Sequence, residues 1–589
     1  MYRPGHKALP GKPLGTILCY NYPYWPRYLG GAGLALIFIG VGLLMPLVIR
    51  SLVDHFEHGT MTDALLMLYF GGLLAIAIFS GLARYGQRRL MIGASRKFEY
   101  DLRNDYFRHA QSLSQDYYRR VQTGDIMARA TNDLNYVRMW IGPGIMGTVD
   151  LIRMPFALGL MVYFCAQLTL IALLPLPFVS LAVYFFVMFM HRQSKRVQEQ
   201  FSVVSARAQE NLAGARVVKA YGLAERESAV FQAASAKYMR ENIKLNCVMA
   251  IAHPLVGFIV GASVLIVYWR GGTMVILDQL SLADFSGFVV CLMALVWPLV
   301  EFGWVLTLYQ RGAVAMNRIT EVLAVNPSIC DTDQTRSDIE SVGGAIRFED
   351  VAFAYDGHNV LEDISFNVPE GQTVAIVGPT GAGKSSIVSL LTREYDPSAG
   401  RVCVGGLDAR EIPLRVLKDA IGYVPQDTFL FSDTIAVNLT FGKPDATQEQ
   451  MDSACEIAQF ASELAEMPDG YDTLLGERGV NLSGGQKQRL AIARAVVKDP
   501  RILILDDALS SVDTHTEAEV LQRLKTVMAQ RTSVIIAHRV STVQHADLIL
   551  VMDHGRIVER GKHEDLVALG GLYADMHRRQ LLEEALERE

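Results

Sequence analysis

The stretch Gly378-Pro379-Thr380-Gly381-Ala382-Gly383-Lys384-Ser385-Ser386 fits the pattern G-x-x-x-x-G-K-[ST]. Its three glycines permit tight turns that aim backbone N–H groups at anionic oxygens. A helix is expected to begin at Lys384, with its positive dipole end facing those oxygens. In such a loop Lys384 reaches the β- and γ-phosphates of a nucleotide, and the Ser385 hydroxyl ligates Mg²⁺. The apolar run Thr373–Val377 reads as the buried strand that feeds the loop. Strand, loop and helix in this order set the stretch apart from a chance glycine-rich turn.

The rest of the chain must explain what a nucleotide site is doing beside so much apolar sequence. A chain of 589 residues is too long for one core, so at least two domains are expected. Hydrophobic residues make up 51% of it and charged residues 20%, and mean hydropathy is +0.22. The apolar excess lies in the first half. The net charge of −6 is spread without basic blocks, so nucleic acid is not an expected partner. The cysteines Cys19, Cys165, Cys247, Cys291, Cys330, Cys403 and Cys455 form neither C-x-x-C pairs nor a metal-like cluster. They read as scattered small hydrophobes in a reducing setting. Met1–Tyr24 lacks the apolar core and small-residue cleavage site of a signal peptide.

Six long apolar runs recur in the first half, near Tyr28–Ile49, Ala64–Ala83, Gly144–Phe164, Leu168–Met190, Met249–Trp269 and Phe285–Leu308. Each approaches the ~20 residues needed to cross a lipid bilayer. Arg3, Lys7, Lys12 and Arg27 precede the first run, and Arg84, Arg88, Arg89, Arg96, Lys97 and Arg103 follow the second. Cys165-Ala166-Gln167, read as the turn between the third and fourth runs, is uncharged. Positive residues mark the cytoplasmic side, so both termini are expected inside. The inside connections, Arg84–Ile141 and His191–Val248, have helical periodicity and are long enough to project beyond the membrane. Asp150 and Arg153 stand three apart near the end of the third run and are expected to pair or snorkel. Glu301, between Trp297-Pro298 and Trp304, is an intramembrane carboxylate. It should face a cavity or another helix and is the best candidate for a substrate-side residue.

From Arg311 to Gly344 the sequence turns polar and reads as a linker. Beyond Ala345 short apolar strands alternate with helices, the pattern of an α/β domain. Ile502-Leu503-Ile504-Leu505-Asp506 is a buried strand ending in a carboxylate, placed to hold Mg²⁺. Between this strand and the first loop lies Asn481-Leu482-Ser483-Gly484-Gly485-Gln486-Lys487-Gln488-Arg489, a second helix start suited to an anion. One domain has no use for two grips on one nucleotide. Two copies facing head to tail do, with each grip closing on the nucleotide held by the other.

With these motifs the chain resembles a half-transporter of the ATP-binding cassette (ABC) exporter superfamily. It is most similar to the multidrug resistance-like subunits of bacterial heterodimeric exporters. The resemblance implies an all-α six-helix transmembrane domain over residues 1–310, a linker over 311–344 and an α/β ATP-binding domain over 345–589. It also implies ATP and Mg²⁺ as cofactors, with Tyr355 stacking on adenine and Gly378–Ser386 holding the phosphates. Gln426 would touch Mg²⁺ and sense the γ-phosphate, alongside Ser385 and Asp506. Leu482, Ser483, Gly484, Gly485 and Gln486 would form the signature that contacts the partner's nucleotide. Ser511 and Asp513 would belong to the loop linking the two sites. His538 would contact the γ-phosphate and orient the attacking water. Leu475–Gly479 would touch the membrane-domain extensions, whose coupling helices are expected near Gln115–Tyr118 and Leu223–Ala229.

One departure stands out. Asp507 follows Asp506 where the family usually has the glutamate that polarises the attacking water. Aspartate is shorter by a methylene, and a misplacement of about 1 Å can cost ~100-fold in rate. The resemblance therefore implies two unequal sites in a heterodimer, with a slow one on this chain's Lys384 and Asp507. The expected cargo is a small hydrophobic or amphipathic compound, moved across the cytoplasmic membrane. A competent homodimeric exporter of lipid or peptide, or an ATP-gated or regulatory subunit, stands as the alternative.

Overall fold

The computed structural model describes residues 13–174, 176–476 and 479–587. Its contacts divide the chain into two compact units. One takes the chain to Ala110 together with Gly124–Ala324, and the other takes Gln111–Thr123 together with Val325 onward.

The first unit is helical. Its long helices are Trp25–Glu57, Asp63–Ser112, Leu176–Ala213, Ala224–Ile276 and Leu282–Leu323. A further helical run from Thr123 to Leu173 contains two π-helical stretches, Arg129–Asp133 and Trp140–Gly144. Among the described residues Leu14–Glu57, Asp63–Ser112 and Thr123–Leu173 are long and apolar enough to cross a bilayer, and Gly261–Ile276 and Leu282–Leu295 are shorter apolar stretches. Large side chains such as Met67, Leu68 and Phe70 are exposed on these helices. That surface suits lipid and would be a liability in water. At about 1.5 Å per residue, the 53-residue helix Ala224–Ile276 far exceeds the ~30 Å hydrocarbon layer.

Three details differ from expectation. Cys165 is not one of them: its extended angles (φ −162°, ψ 103°) divide Arg153–Leu173 into two helical pieces at the expected turn, and its Sγ accepts from the Leu168 N–H at 3.4 Å. The last helix of the unit runs to Leu323, well into the stretch read as linker, because Ala315, Met316, Ile319 and Val322 form a buried apolar face at helical spacing that the local polarity masks. Leu223–Ala229 is the start of the helix Ala224–Ile276, and the separate short helix is Ala215–Ala220. Asp150 does not pair with Arg153, because the helix Ile145–Asp150 ends between them. Instead Arg84 ion-pairs with Asp150 Oδ2, and Gln87 donates to its Oδ1 at 3.0 Å. Arg153 Nε is buried without a hydrogen-bond partner.

Among the described residues the second unit has ten strands: β1 Ile346–Tyr355, β2 His358–Val368, β3 Thr373–Val377, β4 Ala399–Val404, β5 Leu407–Asp408, β6 Ile421–Val424, β7 Ile502–Asp506, β8 Thr532–Ile536, β9 Leu548–Asp553 and β10 Arg556–Gly561. An antiparallel sheet has the order β2-β1-β4-β5, and a second sheet the order β10-β9-β3-β8-β7-β6. Within the second, β9, β3, β8, β7 and β6 are parallel. Their near-continuous Val, Ile and Leu content follows from burial on both faces. Val374, Ile376, Ile502, Ile504, Val534 and Ile536 share a core with the antiparallel sheet. The alternate residues Ala375, Val377, Leu503, Leu505 and Ile535 pack with the helices on the other face. This packing brings the carboxyl ends of β3, β7 and β8 side by side, the edge where ligands bind in such sheets.

Candidate nucleotide-binding site

The phosphate loop leaves β3 at Val377 and enters the helix Lys384–Leu391. Gly378, Gly381 and Gly383 all have positive φ (148°, 85° and 96°). A Cβ on Gly378 would sit 2.2 Å from the Met552 carbonyl oxygen of β9, so glycine is required by space as well as by backbone angle. Pro379, Thr380 and Gly381 form an exposed crest, while Ala382 and Ser386 are buried. Lys384 is buried, and its ammonium donates to the carbonyls of Gly378 (2.8 Å) and Pro379 (3.0 Å). Burial pulls its pKa down, against the upward pull of Asp507 and Asp506.

Asp506 ends β7 beside that lysine. Its Oδ1 is buried without a hydrogen-bond partner. Burial first, and then the adjacent Asp507 carboxylate, push its pKa up to about 6, while a hydrogen bond from Ser385 and the charge of Lys384 pull the other way. A buried carboxylate oxygen with no donor, next to a serine hydroxyl, suits a hard divalent cation. The residues present therefore fit Mg²⁺ held by Asp506 and Ser385. Gln426 stands exposed two residues beyond β6, whose Val424 pairs with Leu505, so the sheet register carries it to the same edge.

Asp507 has φ +47°, an uncommon conformation that aspartate tolerates better than most residues. Its N–H donates to the Ile536 carbonyl at 2.9 Å, which ties it to the end of β8. His538 follows that strand, and its Nε2 lies 3.1 Å from Asp507 Oδ2. Lys384, Ser385, Asp506, Asp507 and His538 thus converge on one sheet edge.

Tyr355 ends β1 at the tight turn Asp356-Gly357, where both residues have positive φ, as a two-residue hairpin of this kind requires. Its ring packs on Phe353 and Tyr395, with centroids at 4.6 and 5.2 Å. Arg119, from the short helix Gln115–Arg120, lies over the ring at 4.3 Å, and Arg120 pairs with Asp356 at 2.6 Å. Nothing in the sequence marked Arg119. Its partner is far away in the chain, and it sits in an ordinary charged helix.

The serine-glycine stretch starts the helix Gly484–Val497 with a capping box: Ser483 Oγ accepts from the Gln486 N–H (3.2 Å), and Gln486 Oε1 accepts from the Ser483 N–H (2.9 Å). The Ser483 hydroxyl keeps its proton to donate elsewhere. Leu482 is buried. A Cβ on Gly485 would stand 3.0 Å from the Ser511 carbonyl oxygen, so this helix start lies close to the loop after β7. Gln488, which carried no role in the sequence reading, is buried and clasps that loop. It donates to Ser510 Oγ (2.9 Å) and accepts from the Ser511 N–H (2.9 Å). Ser511 is exposed, and Asp513 caps the helix Thr514–Met528, accepting from the Thr516 N–H at 2.9 Å. Of Leu475–Gly479, Glu477 and Arg478 lie outside the described residues.

Glu301 belongs to the other unit and joins none of these groups. It is half-buried on the helix Leu282–Leu323. A Cβ on Gly147 would lie 3.1 Å from its Oε1 and 2.5 Å from Val305 Cγ2, so the helix carrying Gly147 approaches it closely.

Known proteins share both parts of this chain. Residues 30–299 match the family model described as ABC transporter transmembrane region, and residues 361–510 match the one described as ABC transporter. The chain is 36% identical to the multidrug resistance-like ATP-binding protein MdlA of Escherichia coli, covering 96% of each chain. It is 32% identical to an ATP-dependent lipid A-core flippase of Chromohalobacter salexigens, covering 96% of this chain and 98% of the relative. A solved bacterial Atm1-family ABC exporter with ATP bound superposes with a TM-score of 0.76 at 28% identity, covering 94% of this chain and 98% of that one. With a helical membrane domain and an α/β ATPase domain on one polypeptide, the chain belongs to the ABC transporter family and is an ATP-hydrolysing membrane exporter.

Proposed function

We propose that this chain is one half of a heterodimeric exporter that moves small hydrophobic or amphipathic compounds out across the cytoplasmic membrane, with both termini in the cytoplasm. Its own ATP site is the slow one. The observation that carries this reading is Asp507, a carboxylate one methylene short of the family's glutamate, at φ +47° with an oxygen 3.1 Å from His538. Lys384 and the loop N–H groups bind the phosphates, and Tyr355 stacks on adenine. Ser385, Asp506 and Gln426 would hold Mg²⁺, which would supply positive charge to offset that developing on the phosphates. Asp507 polarises the attacking water and His538 contacts the γ-phosphate. The water oxygen bonds to phosphorus, the bond to the β–γ bridging oxygen breaks, and the short reach of Asp507 slows this step. Ser483–Gln486 serve the partner's nucleotide, with the Ser483 hydroxyl and the glycine N–H groups as donors. Binding of two ATPs favours the closed form because that form alone holds both nucleotides from both sides. Glu301 faces the substrate path.

ATPase activity of the chain alone, and then with its partner half-transporter, tests the division of labour. Slow turnover alone, raised about tenfold or more by Asp507→Glu, is expected. Robust turnover alone, abolished by Asp507→Ala, would refute it. A homodimeric exporter is the second reading, favoured by the His538–Asp507 contact, which is the pairing a working site needs. The composition of the purified oligomer separates the two readings.

A further inference from the structure

The segment behind His538 is held from two sides. Glu517, on the helix capped by Asp513, is 6% exposed. Its Oε2 ion-pairs with Arg539 Nη1, and its Oε1 accepts from the Thr542 hydroxyl at 2.8 Å. From the other side, Gln580 of the helix Leu572–Glu587 accepts the Val540 N–H at 2.6 Å and donates to Ser541 Oγ at 3.2 Å. Each of the four residues from Arg539 to Thr542 therefore has a partner on another helix. A buried carboxylate is costly unless both oxygens are satisfied, and here one segment satisfies both. The His538 side chain is 47% exposed and meets Asp507. Its aim is therefore set by the backbone that follows it.

We propose that Glu517 is a positioning residue for ATP hydrolysis, clamping Arg539–Thr542 to the helix that starts at Asp513 and thereby fixing the reach of His538. The inference rests on the reading of His538 as the γ-phosphate contact. Because the same helix begins at the loop carrying Ser511 and Asp513, movement of that loop is transmitted to His538 through one side chain.

The test is a double-mutant cycle on the full chain in lipid nanodiscs, reading single-turnover hydrolysis and ATP affinity separately. Glu517→Gln keeps an acceptor for Thr542 and removes the charge partner of Arg539. Arg539→Gln breaks the same pair from the other end. Each is expected to slow hydrolysis about tenfold with the Kd for ATP changed less than about twofold. The double variant should be no slower than the slower single one, since the two act as a unit. Thr542→Val removes one hydrogen bond and no charge. It should slow hydrolysis about threefold and covers the case in which Glu517→Gln does not fold. A wild-type rate in Glu517→Gln, losses that multiply in the double variant, or a Kd that rises in step with the lost rate would overturn the proposal. If His538→Ala abolishes hydrolysis while Glu517→Gln does not, only the clamp is wrong. If His538→Ala is itself silent, the reading of His538 fails and the clamp with it.

Discussion

Asp150 and Asp506 are both buried carboxylates, and the difference between them separates a structural charge from a site. In the membrane unit both oxygens of Asp150 are taken, one by Arg84 and one by Gln87. In the nucleotide unit Asp506 keeps Oδ1 without a donor, and its pKa rises to about 6 through burial and the neighbouring Asp507. A protein that wanted only a stable fold would fill that position. An oxygen left open against its desolvation cost beside the Ser385 hydroxyl and Lys384 suits a cation.

Exchanging each carboxylate for its amide breaks or sharpens the contrast. Asp506→Asn should lower ATP hydrolysis about 100-fold or more while leaving thermal stability level or higher, because a poorly compensated buried charge is gone. Activity and melting curves on one preparation check both halves. Asp150→Asn should do the reverse: it strips the charge partner from Arg84 and lowers stability by about 2 kcal/mol, with ATP affinity unchanged. A silent melting curve for Asp150→Asn would erase the distinction. Glu301→Gln should change uptake of a cationic amphiphilic dye into inverted vesicles about threefold to tenfold, with ATPase activity in the absence of dye unaltered. The smallest effect belongs to Arg119→Ala. A guanidinium 4.3 Å from the Tyr355 ring leaves no room for a purine on that face, and an exposed contact of this kind is worth ~0.5–1 kcal/mol. Nucleotide binding should therefore tighten about twofold to fivefold, measured by fluorescence titration with an ATP analogue. Weaker binding would mean that the arginine supports the base instead of competing with it.

The same contrast explains what could be read before the fold was known. The phosphate loop was legible because its chemistry is contiguous: three glycines, a lysine and a serine act within nine residues. Asp506 was legible because it ends an apolar strand. The pairs that tune these groups were not, because they join residues with no local pattern. Glu517 meets Arg539 and Thr542 across the whole of β8, and Gln488 reaches Ser510 and Ser511 across β7. Arg119 and Tyr355 are joined only by the fold. Asp150 misled for the opposite reason. A basic residue stood at helical spacing, but the helix ends in between, and the partner came from another helix. The apolar runs fixed the presence of membrane helices. Their ends were harder to place, since helices such as Leu282–Leu323 continue into polar sequence once supported by packing.

Gly378 sits with β9 pressed against it, closer than any side chain would allow, and β9 pairs with β3 along Val374–Val377. The backing of the phosphate loop is therefore made from a strand that follows the loop only after β4 to β8. A ribosome stalled before Leu548 would display every residue of the motif with no strand to lean on. Competence to hold nucleotide therefore waits on β9, which is made after the membrane helices.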